Sequence, residues 1–249
     1  MRRVAILLFF ALVLFGVAAF PAIAPIARTT DERVVEDTHE VALVAAVALV
    51  GQSADGIKAF PHNGAIEQMV TVAVREPTST TARLSGWGRG NDGWRREIGP
   101  FEAFVGAEGI GEAKEGLSRT PVGVYALTEA FGIEPNNGTR LPYFKVDEQD
   151  WWVSDVNSPE YNKRFRCPPG KCPFNERAGE RLISAGAVYN HAVVIDYNRN
   201  PVTAGAGSAF FLHVSDGKPT AGCVSVAQDD LNAVMRWLDP ARKPAISIG

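Results

Sequence analysis

The chain has 249 residues, 46% of them hydrophobic and 21% charged, enough to bury one sizeable core with at most a small appendage. Its 25 basic and 28 acidic side chains give a formal net charge of -3, so it lacks the positive field that binding nucleic acid requires.

Arg2 and Arg3 precede seventeen uncharged, mostly apolar residues that end before Pro21, the layout of a secretory signal with Ala22-Ile23-Ala24 as its small-residue cleavage site. Pro25 directly after that site obstructs cleavage. Two readings therefore stand for residues 1–27, a signal peptide or an uncleaved N-terminal membrane anchor built on residues 4–20. Both predict a secreted or cell-envelope protein whose folded part lies outside the cytoplasm. Residues 28–40 are polar and charged and read as an exposed linker, whereas VALVAAVALV at 41–50 is apolar without alternation and fits a short helix and a buried strand equally well. The folded domain is predicted to span 66–249, with 28–65 as linker and a segment of undecided structure.

From Met69 onward the pattern becomes that of a mostly β protein. QMVTVAVRE alternates with β-branched residues, ARLSGW follows a turn-rich STT, and Asn91-Asp92-Gly93 is a hairpin signal leading into WRREIG. TPVGVYALT is a further clear strand. Residues 145–187 carry little periodicity and read as a long excursion over the core, which a compact domain tolerates when the segment has structure or function of its own. AVVIDY at 192–197 and SAFFLHV at 208–214 are again strand-like. After Cys223 the signals turn helical. Ser225 with Gln228 fits a capping box, Asp229 and Asp230 suit a first turn, Leu231, Val234 and Leu238 share one face, and Asp239-Pro240 ends the element.

Three cysteines in an exported chain make one disulfide and leave one thiol. Cys167 and Cys172 flank a Pro-Pro-Gly-Lys bend and are expected to pair, with a zinc site as the rival reading. Cys223 is then the odd thiol. Placed about two residues before a helix N-terminus, it is expected to have a stabilised thiolate. His213 ends an apolar strand ten residues earlier, and GKPT can turn the chain back so that the imidazole meets the thiol as its base. The N–H groups around Gly222 and Cys223 are candidate oxyanion donors. The competing reading is a small buried cysteine and a satisfied core histidine.

These residues resemble the L,D-transpeptidase (YkuD-type) catalytic domain, whose signature is a strand-borne histidine followed by Ser/Thr-x-Gly-Cys, here His213 and Thr220-Ala221-Gly222-Cys223. Upstream blocks, among them TPVGVYALTEAFG, NSPEYN and AVVIDYN, are similar in order to the secreted actinobacterial-type branch, over roughly residues 66–249. The resemblance implies a β-sandwich or barrel with a short C-terminal helix. It also implies a cofactor- and metal-free acyl transfer on peptidoglycan stem peptides. Cys223 would be the nucleophile, His213 the base with its second ring nitrogen held by the Val214 carbonyl, and carbapenems would acylate the sulfur. Gly222, Val214 and Thr220 would support the centre.

Two positions depart from the family pattern. Ala221 stands where a second histidine is frequent, and Ser225 where arginine or asparagine is frequent; the latter bears on how a substrate carboxylate is held. His191 and Tyr189 are further candidates for lining the cleft, as is the Trp151-Trp152 pair, although aromatic residues at strand spacing are more often core. Asp196 and Asp216 are candidates for orienting a histidine, Asp216-Gly217 being first a turn signal. A papain-like hydrolase presents its cysteine before its histidine, the reverse of the order here. Hydrolysis by the same fold, as an L,D-carboxypeptidase, and an inactive wall-binding module remain the alternatives.

Overall fold

The structure, a computed structural model, describes residues 66–249. The expectations for the signal or anchor, the linker and the 41–50 segment lie outside the described residues.

Fourteen strands and one α-helix follow in order among the described residues. A first hairpin group comprises β1 (Gln68–Val74), β2 (Thr81–Gly90) and β3 (Gly93–Phe104), with β2 and β3 joined at Asn91-Asp92. Two short strands, β4 (Ile110–Gly111) and β5 (Thr120–Pro121), lead into the long β6 (Gly123–Gly132) and then β7 (Tyr143–Lys145). β8 (Asp150–Val153), β9 (Arg164–Arg166) and β10 (Gly179–Arg181) form a separate three-stranded sheet. The chain then returns through β11 (Ala192–Ile195), β12 (Phe211–Val214), β13 (Val224–Val226), α1 (Gln228–Trp237) and β14 (Ala245–Ile248).

The main sheet runs β11-β12-β13-β3-β2-β1-β14-β6-β7, and β6 pairs again with β11. That second pairing closes the sheet into a barrel, with β7 laid alongside β6. Closure is available because β6 is ten residues long. Its first half pairs with β14 (Gly123↔Ile248 to Ala126↔Ala245), leaving Leu127, Ala130 and Phe131 to meet β11.

The two-residue repeat of the strands sorts side chains between two sides. Val193, Ile195, Leu212, Val214, Val224 and Val226 point into the barrel, where they pack with Val70, Val72, Leu84 and Ile246. Leu231, Val234 and Met235 of α1 join the same cluster, so the helix closes off that interior. Ala192, Val194 and Phe211 alternate to the outside and are covered by Trp152, Leu182 and Tyr189.

Residues 145–187 are thus built, not irregular. Their strands of three or four residues are too short to show periodicity in the sequence. Asp150, fully buried, holds the small sheet together: Oδ1 accepts from Arg164 Nε at 2.9 Å and Oδ2 from Arg166 Nη1 at 2.7 Å. Cys167 and Cys172 form a disulfide beside Trp151 and Phe174, so the zinc reading of that pair falls.

The predicted cap at Ser225 is corrected. Ser225 lies in β13, paired with His213 on one side and Phe104 on the other, and that two-sided ladder keeps the backbone extended. The helix begins three residues later at Gln228. Ala227 is its N-cap, without a side-chain cap, and Asp229 and Asp230 occupy the first turn.

Cys167→Ser should lower stability only modestly, since the bridged cysteines are five residues apart; roughly 2 kcal/mol is expected from loop entropy, checked by urea titration of the oxidised and substituted proteins.

Candidate active site

β12 and β13 run parallel, with Leu212 beside Val224 and His213 beside Ser225. Continuing that register sets Cys223 level with Phe211. Side chains of paired positions share a face, so Phe211, His213, Cys223 and Ser225 all project from the outer side of the barrel, in line with Ala192 and Val194 of β11. Cys223, immediately before β13, and His213 on β12 are therefore diagonal neighbours.

His213 Nδ1 lies 2.8 Å from the Val214 carbonyl oxygen. A carbonyl only accepts, so Nδ1 carries the proton and Nε2 keeps its lone pair. Burial lowers the imidazole pKa, outweighing the opposing effects of the Val214 carbonyl and the Asp216 charge. The ring is accordingly neutral at pH 7 and in the tautomer a base needs.

Three residues hold the Cys223 segment. Gly222 has φ +135°, and a Cβ there would come within 2.9 Å of the Phe210 ring and 3.2 Å of the Arg119 carbonyl oxygen, so glycine alone fits. Its N–H donates to Thr220 Oγ1 at 3.1 Å, which in turn donates to the Cys223 carbonyl at 2.6 Å. Thr120, fully buried on β5, donates to the same carbonyl at 3.2 Å while accepting from Gly106 N–H at 2.8 Å. Gly222 and Thr220 thus shape the turn, and the Gly222 N–H is engaged by Thr220, not presented to a substrate oxygen.

The sulfur sits between two backbone groups. Phe211 N–H donates to it at 3.4 Å, and its own S–H donates to the Ala209 carbonyl at 3.3 Å. Ala209 adopts φ 59°, a left-handed conformation uncommon for a residue with a Cβ, and its N–H donates to Asn162 Oδ1 at 3.2 Å. Asn162 is itself buried and fully used: Oδ1 also accepts from Trp152 Nε1, and Nδ2 donates to the carbonyls of Tyr197 and Asn198.

The expected low thiol pKa is overturned. Burial, then the negative charge of Glu180, push the Cys223 thiol up to about 12, partly offset by the Phe211 N–H. The helix N-terminus gives no counterweight, because α1 starts five residues after the cysteine. The resting pair is a neutral thiol and a neutral imidazole.

The other candidates separate. Tyr189 belongs to the site: its ring is edge-on to His213 at 5.5 Å and to Phe211 at 5.6 Å, and its hydroxyl donates to Glu180 Oε1 at 2.7 Å. His191 precedes β11, and its contacts run to the Pro135 carbonyl (Nε2, 3.0 Å) and the Tyr143 ring, not to His213 or Cys223. Ser225 is buried opposite His213 with its hydroxyl unpartnered. Trp151 and Trp152 are core, Trp152 lying against Phe211 at 4.9 Å. Asp196 is committed to Arg199 and Thr128, and Asp216 Oδ1 caps its own turn at Lys218 N–H.

A cleft of about 240 Å³ opens beside the nucleophile turn, lined in part by Gly116, Leu117, Gly207, Phe210 and Ala221. Ala221 contributes only a methyl group to its wall.

Thr120, Glu180, Asn162 and Ala209 were not singled out from the sequence. Thr120, Asn162 and Ala209 lie within the TPVGVYALT, NSPEYN and SAFFLHV blocks, but their roles rest on contacts 10 to 103 residues away in sequence, and Glu180 acts on Cys223 through its charge across 43 residues.

Residues 78–246 match the YkuD family, described as the L,D-transpeptidase catalytic domain. No curated protein matches. Among solved structures, the helical cell shape determining protein Pgp2 from Campylobacter jejuni aligns at 16% identity and a TM-score of 0.37, covering 73% of this chain and 47% of that one. The chain therefore spans about half the length of that protein.

Two outcomes are expected. Thr120→Val should cost about 1–3 kcal/mol in denaturant titration, because the Gly106 N–H loses its acceptor, while Thr120→Ser should restore most of it. Alkylation of Cys223 by iodoacetamide in the free protein should rise with pH to at least pH 10 without a plateau near neutrality, as a thiol pushed up to about 12 requires.

Proposed function

Because the chain belongs to the L,D-transpeptidase (YkuD) family, we propose that it is a cysteine-dependent transpeptidase forming 3→3 crosslinks between peptidoglycan stem peptides through a thioester acyl-enzyme. The observation that carries this reading is the shared outer face of His213 and Cys223, with Nδ1 locked on the Val214 carbonyl and Nε2 left as acceptor.

The thiol proton passes to His213 Nε2 as the sulfur attacks the carbonyl carbon of the third stem residue, a diamino acid. Neutral thiol and neutral imidazole make this a coupled step, because a free thiolate is disfavoured in the buried site. Collapse of the tetrahedral intermediate breaks the amide bond to D-alanine, whose nitrogen takes the proton back from the imidazolium. The thioester is then attacked by an amine of a neighbouring stem. The new amide forms, the C–S bond breaks, and the amine's proton returns to the sulfur through His213. Water in place of that amine would release a tripeptide, the L,D-carboxypeptidase outcome.

The cleft beside Ala221 suits the donor peptide, and its apolar wall at Leu117 and Phe210 suits the stem backbone. The protein would work outside the cytoplasm, secreted or anchored by residues 4–20, where both its disulfide and its substrate belong.

Incubation with a purified disaccharide-tetrapeptide should give crosslinked dimers by mass; tripeptide alone would establish the hydrolase instead. Meropenem or imipenem should add covalently to the native protein and not to Cys223→Ala. His213→Ala should slow acylation on the order of 10²-fold or more. A folded native protein that forms neither adduct nor product would be a binding module, and the catalytic reading would fall.

A further inference from the structure

We propose that Glu180 is the docking point for the side-chain ammonium of the peptide whose carbonyl Cys223 attacks, making this carboxylate the determinant of selectivity for a diamino acid at the third position. This deepens the transpeptidase reading and rests on it for the identity of the peptide.

Glu180 lies on β10 opposite Trp152 of β8 and reaches the nucleophile side of the barrel through Tyr189. The Tyr189 hydroxyl donates to Oε1 at 2.7 Å, and the same tyrosine ring stands edge-on to His213 at 5.5 Å. One carboxylate, one phenol and the imidazole thus form a continuous row.

No cation balances that carboxylate among the described residues. The arginines of the same small sheet are taken: Arg164 and Arg166 by Asp150, and Arg181 by Glu148. The Tyr189 phenol is its one hydrogen-bond donor among the described residues. Part of the residue still reaches solvent, yet surrounding atoms desolvate the carboxyl enough to raise its pKa, with Tyr189 opposing. A carboxylate so enclosed and unpaired is unfavourable, and a site completed by an incoming cation resolves it.

The placement also has a kinetic consequence. Glu180's charge is close enough to disfavour ionisation of Cys223 and of Tyr189. An ammonium set against Glu180 cancels that influence at the moment a peptide is in place. The flexible four-carbon stem of a lysine-type side chain allows the amine to reach back from the attacked carbonyl. A peptide without the amine leaves the carboxylate unpaired and the sulfur harder to ionise, so it is disfavoured both in binding and in reaction.

The experiment measures binding to Cys223→Ala protein by titration calorimetry. The two probes are a tetrapeptide with L-lysine third and D-alanine fourth, and its Nε-acetyl twin. The free amine should bind about tenfold to a hundredfold tighter, the range for a charge-assisted hydrogen bond. Adding Glu180→Gln, which keeps an acceptor for Tyr189, should erase the difference and leave the acetyl twin unchanged. Should that variant fail to melt cooperatively, Glu180→Asp takes its place and should reduce the discrimination. Equal binding of the twins, or discrimination that survives the substitution, overturns the assignment. Turnover of the disaccharide-tetrapeptide by the native protein keeps the two readings apart. Equal binding with turnover sinks Glu180 alone, whereas discrimination without turnover upholds the cation site and sinks the transpeptidase.

Discussion

Cys223 and His213 share a face only because β13 runs parallel to β12 in the register that sets His213 beside Ser225. A slip of one residue would turn the sulfur into the barrel beside Leu212 and Val214 and leave the imidazole on the opposite face. The register is pinned from both sides. Inside, the valines of β13 interlock with the core that α1 seals. At the turn, the Cys223 carbonyl is held by the hydroxyls of Thr120 and Thr220, and Gly222 occupies a conformation and a gap that only glycine fits.

The site that results is poised rather than charged. Burial works on both partners in the direction of neutrality, raising the thiol and lowering the imidazole. An exposed thiolate would be open to oxidation. A neutral thiol donating to the Ala209 carbonyl is less open to oxidation than a thiolate. The left-handed backbone at Ala209, fixed by the fully satisfied amide of Asn162, aims that carbonyl at the sulfur.

The excursion between β7 and β11 supplies much of this environment. It lays Trp152 on Phe211, brings Asn162 under the 208–210 segment, and delivers Glu180 and Tyr189 to the side of the barrel that carries His213 and Cys223. Its own stability rests on the Asp150 pairing with two arginines and on the disulfide, which together let strands of three or four residues persist outside the barrel. The roof and the Cys223–His213 pair are therefore one unit, and a change in the small sheet alters the field and packing around Cys223.

The amino-acid order alone determined the β character of the domain, the hairpin at Asn91-Asp92, the helix near the C-terminus and the Cys167–Cys172 pairing, and it marked Cys223 and His213 as the candidate nucleophile and base. Each of these is written in local spacing: two-residue alternation, turn residues, amphipathic period, or a short motif. The tertiary structure decided the rest. It placed Ser225 in a strand instead of a helix cap, because pairing with both His213 and Phe104 overrides a local capping preference. It directed His191 toward Pro135 and Tyr143. It reversed the expected acidity of the thiol, because desolvation and a distant carboxylate are properties of what surrounds a residue in space, which no short stretch of chain encodes.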